Sequence, residues 1–261
     1  MTPGGYATVQ KLACLELRGG NHAATYSADL PGLTVWVSCN PLRPSLRGGD
    51  LYYLSACSSG SVARVVIADV AGHGETVSAA AVHLRDALKQ HIDYWDQSLL
   101  IRGLNESFLK DAGRGKFATA FLASFTIDSG HLLYTNAGHM PPLWYRASVK
   151  EWCFLPESAP QSEEISGLPL GLIAGTSYHQ DAAEVQSGDL LILYTDGINE
   201  AEDHTGEQLG LVRLLEMAYS LPTRSAAAAG EQLLARVAEF RGSAPPKDDA
   251  TVVALMRKGT V

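Results

Sequence analysis

The chain has 261 residues, 46% of them apolar, enough to build a sizeable core rather than a disordered polymer. Its net charge is −8 with no long basic run, which argues against a nucleic-acid partner on electrostatic grounds. No apolar stretch approaches the roughly 20 residues of a membrane span, and no basic-then-apolar leader opens the chain. The four cysteines, Cys14, Cys39, Cys57 and Cys153, form no CxxC pair; reduced thiols in a cytoplasmic protein are expected.

In chain order, residues 1–45 are mixed in character, with one strand pattern in "GLTVWVSC" (Gly32 to Cys39). "LYYLSAC" and "VARVVIADV" read as two strands joined through the turn "SSGS", the second apolar enough for the middle of a sheet. Val77, Ala81, Leu84, Leu88 and Ile92 then fall at helical spacing, with Trp95 extending the stripe. A second helix is expected through Leu100, Leu104 and Phe108, ending near Gly113. Strand patterns return in "FATAFLASFTI", "HLLYTNAG", "PPLWYRA" and "EWCFLP", followed by a polar loop over 156–170. "SGDLLILYTDGI" is a buried strand ending in Asp-Gly, two helices follow near 209–219 and 224–240, and "KDDATVVALMR" is a closing strand. Strands, a helix pair, more strands, a second helix pair and a last strand predict a single α+β domain.

The aspartates recur in one context. Asp50 follows a glycine pair, Asp69 and Asp196 end apolar strands, and Asp248 and Asp249 open the last one. A single Asp-Gly after a strand is usually a turn or a cap. Several strand-end carboxylates together are costly unless paired, and hard divalent cations are the partners that oxygen ligands suit. Four carboxylates carry about −4, which two such ions would neutralise.

The segments "GGDLYY", "IADVAGHG", "FATAFLASF", "YTNAGHMPPLW", "LPLGL", "GDLLILYTDGINEA" and "KDDATVVAL" occur in an order that resembles the SpoIIE/RsbU-type branch of the PPM (PP2C-like) serine/threonine phosphatases, from about Gly48 to Leu255. The resemblance implies an α-β-β-α sandwich of two stacked antiparallel sheets flanked by helix pairs. It divides the chain into an N-terminal segment, 1–45, that is part of the domain or a dimerisation element, and a phosphatase domain over 46–258. It implies two Mn²⁺ or Mg²⁺ ions, held by Asp50, Asp69, the carbonyl of Val70, Asp196 and Asp248, with Asp249 supporting. The implied activity is hydrolysis of phosphoserine or phosphothreonine on a partner protein by metal-activated water. The implied substrate class is a STAS-domain anti-anti-sigma factor in a bacterial partner-switching pathway. Regulation is expected from a partner, from homodimerisation or from metal occupancy, with the helical region 75–112 as the candidate switch.

One departure stands out. Many members of that family carry a second acid three residues after the first, where this chain has Tyr53. In a strand, positions 50 and 53 face opposite ways, so Tyr53 would not share an ion with Asp50. The competing reading is a pseudophosphatase, the same fold used as a binding module; a nucleotide cyclase built on "GGD" lacks any phosphate-loop pattern. His73 is read as a capping or packing residue rather than a general acid. His139, Asn136 and Gly138 are read as turn-makers near the site.

Overall fold

The structure, a computed structural model, describes residues 14–72, 75–111, 115–158 and 167–259, apart from the side chains of residues 14, 75 and 76. His73 lies outside the described residues, as does most of the predicted loop over 156–170.

The first strands are β1 (Cys14–His22), β2 (Ala24–Leu30), β3 (Leu33–Asn40), β4 (Arg47–Cys57) and β5 (Val62–Val70). Helices α1 (Glu75–His91) and α2 (Gln97–Asp111) follow, then β6 (Ala118–Thr126), β7 (His131–Ala137), β8 (Leu143–Arg146), β9 (Glu151–Phe154), β10 (Asp181–Glu184) and β11 (Leu190–Tyr194). The chain continues through α3 (Asp196–Asn199), α4 (Gly210–Ala218), α5 (Ala226–Arg241) and β12 (Ala250–Arg257). One six-stranded sheet runs β1-β4-β5-β6-β7-β10 and the other β2-β3-β12-β11-β8-β9. All pairings within them are antiparallel.

Alternating side chains sort into three buried layers. Tyr52, Leu54, Val65 and Ile67 join Val37, Leu193 and Val253 between the sheets. Leu51, Tyr53, Val66 and Ala68 face the other way, against Val77, Ala81, Leu84 and Leu88 of α1 and Leu104 and Phe108 of α2. Trp36, Ile192, Val252 and Ala254 pack outward against Leu214 of α4 and Leu233 and Val237 of α5. The expected α+β sandwich is therefore the observed architecture.

Two expectations need correcting. The mixed N-terminal region contributes three strands: β1 pairs with β4, while β2 and β3 build onto β12. The first two escaped notice because their apolar content is low; β2 alternates between exposed and half-buried positions until Leu30. Trp95 does not extend the helical stripe. Helix α1 ends at His91, and Trp95 is exposed. The guanidinium of buried Arg64 donates to the carbonyls of Ile92, Tyr94 and Trp95, which turns the backbone away from helical geometry at that point. Asp96 Oδ1 then accepts from Ser98 N at 2.8 Å and opens α2.

Gly230 sets how closely α5 approaches the second sheet. A Cβ there would overlap the Trp36 ring. Gly230→Ala gains up to about 1 kcal/mol in helix propensity but overpacks the interface by about 1–3 kcal/mol. The variant is expected to be about 1–2 kcal/mol less stable in urea unfolding, and equal or greater stability would show that α5 stands off the sheet.

Candidate metal centre

The site is assembled at one end of the sandwich, where strands of both sheets stop. Asp50 and Asp69 sit directly opposite each other on β4 and β5, and Thr119 of β6 is the next residue across. Asp50 has the parity of Tyr52 and Leu54, so its carboxylate points between the sheets, whereas Tyr53 is buried against the helix side. The spacing argument about Tyr53 thus matches the observed faces.

Asp50 is 2% exposed. Its Oδ2 accepts a 2.7 Å hydrogen bond from Thr195 Oγ1, across the gap between the sheets. Thr195 is tied to β12 in turn: Thr251 N donates to Thr195 Oγ1 at 2.9 Å, and Thr195 N donates to Thr251 O at 3.1 Å. Thr195 therefore positions Asp50 and brings Asp196, the next residue, to the same end. Sequence reasoning missed Thr195; its place before the strand-end aspartate was the available signal.

Asp249 braces the loops. Its carboxylate accepts from Leu42 N and from Gly49 N, each at 2.6 Å. A Cβ on Gly197 would overlap the Asp249 carbonyl oxygen, and one on Gly49 would lie 2.8 Å from the Val70 carbonyl oxygen. The glycines beside Asp50 and Asp196 are thus required by close backbone approach. Asp248, by contrast, is exposed at the rim, where it lines a small cleft with Asp196, Glu200 and Lys247.

The same end carries the "NAGH" turn. Asn136 Oδ1 accepts from His139 N at 2.7 Å and its Nδ2 donates to His139 O at 2.9 Å, while Gly138 takes φ of 70°. His139 is buried and its Nδ1 lies 2.8 Å from Thr119 Oγ1, the residue beside Asp69, and it does not line the Asp196–Asp248 cleft.

Electrostatics binds these acids into one unit. Burial, then the neighbouring Asp69, raises Asp50 well above the usual carboxylate range. Burial, with Asp196, Asp248 and Asp249 nearby, pushes Asp69 up to about 7. Burial, with Asp248 and Glu200, pushes Asp196 up to about 6. Four distant stretches of sequence therefore place their carboxylates within each other's field. Among the described residues, no three His, Cys, Asp or Glu side chains stand in ligating geometry about one point. In donor chemistry the set nevertheless fits hard divalent cations: all the donors are oxygens, and burial and mutual repulsion disfavour their charge.

This has a pH consequence. An acid whose folded-state pKa lies above its unfolded value destabilises the fold as it ionises, so stability falls as pH rises from about 4 toward 7. His139 works the other way, because burial lowers it to about 4 and protonation of the unfolded chain costs stability below about 6.5. Several acids oppose one imidazole. In EDTA, the melting temperature is expected to be higher at pH 5.5 than at pH 7.5; a midpoint that rises with pH over that range would contradict the acid cluster.

The architecture is that of PP2C-type phosphatases. The crystal structure of the RsbU and RsbW domains of Rv1364c from Mycobacterium tuberculosis superposes with a TM-score of 0.71 at 21% identity, covering 92% of this chain and 64% of that one. The structure of the PP2C phosphatase domain and a fragment of the regulatory domain of SpoIIE from Bacillus subtilis gives a TM-score of 0.72 at 19% identity, covering 91% of this chain and 65% of that one. A family model described as Stage II sporulation protein E (SpoIIE) matches residues 59–258, and the chain belongs to that family. Phosphoserine phosphatase RsbU of Bacillus subtilis (strain 168) is 25% identical over 197 residues, 74% of this chain and 55% of that protein. The chain thus spans about half the length of that relative.

Proposed function

We propose that this chain is a metal-dependent phosphoprotein phosphatase that hydrolyses phosphoserine or phosphothreonine on a partner protein. The observation that carries this reading is the convergence of Asp50, Asp69, Asp196 and Asp248 at one end of the sandwich, each of the first three raised by burial and by its neighbours. Two relatives, RsbU and RsbP of Bacillus subtilis, are phosphoserine phosphatases by name, and the similar RsbX structure is a complex with magnesium.

In this proposal Asp50, Asp69, Asp196, Asp248 and the carbonyl of Val70 hold two Mn²⁺ or Mg²⁺ ions. Such ions supply Lewis acidity, acidifying water and offsetting charge on the phosphoryl oxygens. The chain's own contribution is positional. Thr195 fixes the Asp50 carboxylate, Asp249 anchors the backbone of Gly49 and Leu42, and the stacked sheets keep both fixed. The cleft between Asp196, Asp248 and Lys247 is where the phosphoryl group would enter.

The proposed substrate class, carried over from the family resemblance, is a STAS-domain anti-anti-sigma protein within a cytoplasmic partner-switching pathway, and a similar structure is of the bacterial stressosome. Among the described residues, no helix is long and apolar enough to cross a membrane. A homodimer built through the N-terminal segment would use strands β1 and β2, each an edge strand of its sheet.

A second reading, a weakly catalytic pseudophosphatase serving as a binding module, draws on the absence of a closed ligand set among the described residues. Hydrolysis of p-nitrophenyl phosphate separates the two. Mn²⁺-dependent turnover abolished by EDTA is expected; no turnover together with no metal binding would leave the module.

A further inference from the structure

A second cleft, of ≈ 550 Å³, opens beside the carboxylate end. It falls within the range of about 300–1,000 Å³ typical of ligand pockets. Its walls come from three places: Leu42 and Arg43 after β3, Ile198 of α3, and Leu234, Val237 and Arg241 of α5. Pro245 and Pro246 close one side and stiffen it.

Three observations bear on its occupant. First, it is continuous with the carboxylate cleft, because Gly197, Arg241, Pro245, Pro246, Asp248 and Ala250 line both. Second, it is lined largely by apolar side chains, unlike the acidic cleft next door. Third, Arg43 and Arg241 stand in its wall without a salt bridge among the described residues, in a chain of net charge −8. Arg241 Nε is also buried without a hydrogen-bond partner among the described residues. A guanidinium so placed favours a carboxylate.

We infer that this cleft is the specificity groove for the substrate polypeptide, taking an apolar side chain near the phosphorylated residue while an adjacent acidic residue pairs with Arg241. The inference rests on the phosphatase reading and adds to it which flanking sequence is preferred. The carboxylate cleft is narrow and acidic, so it supplies little attraction for a polypeptide. The apolar groove supplies that attraction, and the arginines set its charge preference.

The test uses the full chain with Mn²⁺ and two fluorescein-labelled phosphoserine peptides. One carries Leu and Glu on both sides of the phosphoserine, and the other carries Ala and Lys. Binding is read by fluorescence anisotropy, and p-nitrophenyl phosphate turnover is measured in parallel. Ala238 is exposed on α5 and lines the groove, so Ala238→Gln, long and uncharged, obstructs it without disturbing the core.

The Leu/Glu peptide is expected to bind at least about tenfold tighter than the Ala/Lys peptide. Ala238→Gln should remove most of that difference with unchanged p-nitrophenyl phosphate turnover and unchanged melting, because Ala238 does not line the carboxylate cleft, and Arg241→Gln, read by peptide binding, should remove its charge dependence. Equal binding of the two peptides, or variants that leave the preference intact, would overturn the groove. Loss of p-nitrophenyl phosphate turnover in Arg241→Gln with the peptide preference intact would assign that arginine to the phosphate instead and would also overturn it. A wild-type chain that binds the Leu/Glu peptide selectively but does not turn over p-nitrophenyl phosphate would keep the groove and remove the phosphatase reading.

Discussion

Replacing Asp196 with Asn is expected to lower Mn²⁺-dependent hydrolysis of p-nitrophenyl phosphate by at least about 100-fold, or about 2.7 kcal/mol of transition-state stabilisation. Asp196 lies where both sheets end, beside the Asp248 cleft, and it is one of the charges that raise Asp69. The substitution keeps the shape and removes the charge, so secondary structure and melting without metal should persist. Melting in EDTA should even rise slightly, because one repelling carboxylate has gone. Tyr53→Phe is the contrast. Tyr53 is buried on the helix side of β4, so its activity should stay within about threefold of the parent. Near-full activity in Asp196→Asn would place the chemistry elsewhere. A large loss in Tyr53→Phe would mean that the helix-side layer takes a direct part in the reaction.

Adding Mn²⁺ to the metal-free protein is expected to raise the melting midpoint by about 5–10 °C at a hundredfold excess over the dissociation constant. Ligand binding confined to the folded state contributes about 2.7 kcal/mol at that ratio. For a domain of this size each kcal/mol moves the midpoint by about 2–4 °C. The physical source is relief of repulsion among Asp50, Asp69, Asp196 and Asp248, which burial otherwise intensifies. Asp69→Asn should abolish most of the shift, because Asp69 lies within the field of Asp196, Asp248 and Asp249 together and directly opposite Asp50. A midpoint indifferent to Mn²⁺ and Mg²⁺ alike would favour the binding-module reading.

Local sequence signals carried a large part of this molecule. The nearly continuous apolar run of "VARVVIADV" and the helical stripe from Val77 to Ile92 report burial that each segment imposes on itself, and both appear as β5 and α1. The opposite facing of Asp50 and Tyr53 was also legible, since strand parity is a local rule. Segment order alone was enough to point to the family and its sandwich.

What remained hidden is what pairing decides. Strands β1 and β2 lie at sheet edges with few buried apolar side chains, so their identity comes from partners β4 and β3 rather than from their own pattern. The end of α1 before Trp95 depends on Arg64, a residue of β5 that reaches the carbonyls just past the helix only after folding. The register that sets Asp50 opposite Asp69, and the bond from Thr195 across the gap, likewise join residues separated by 19 and 145 positions. Sequence by itself determined which residue types lie at strand ends and which face each strand buries, because those depend on near neighbours. Tertiary structure alone decided that the strand ends meet, that Thr195 and Asp249 hold them, and that an apolar groove opens beside them, because each is a contact between segments whose separation in the chain carries no local trace.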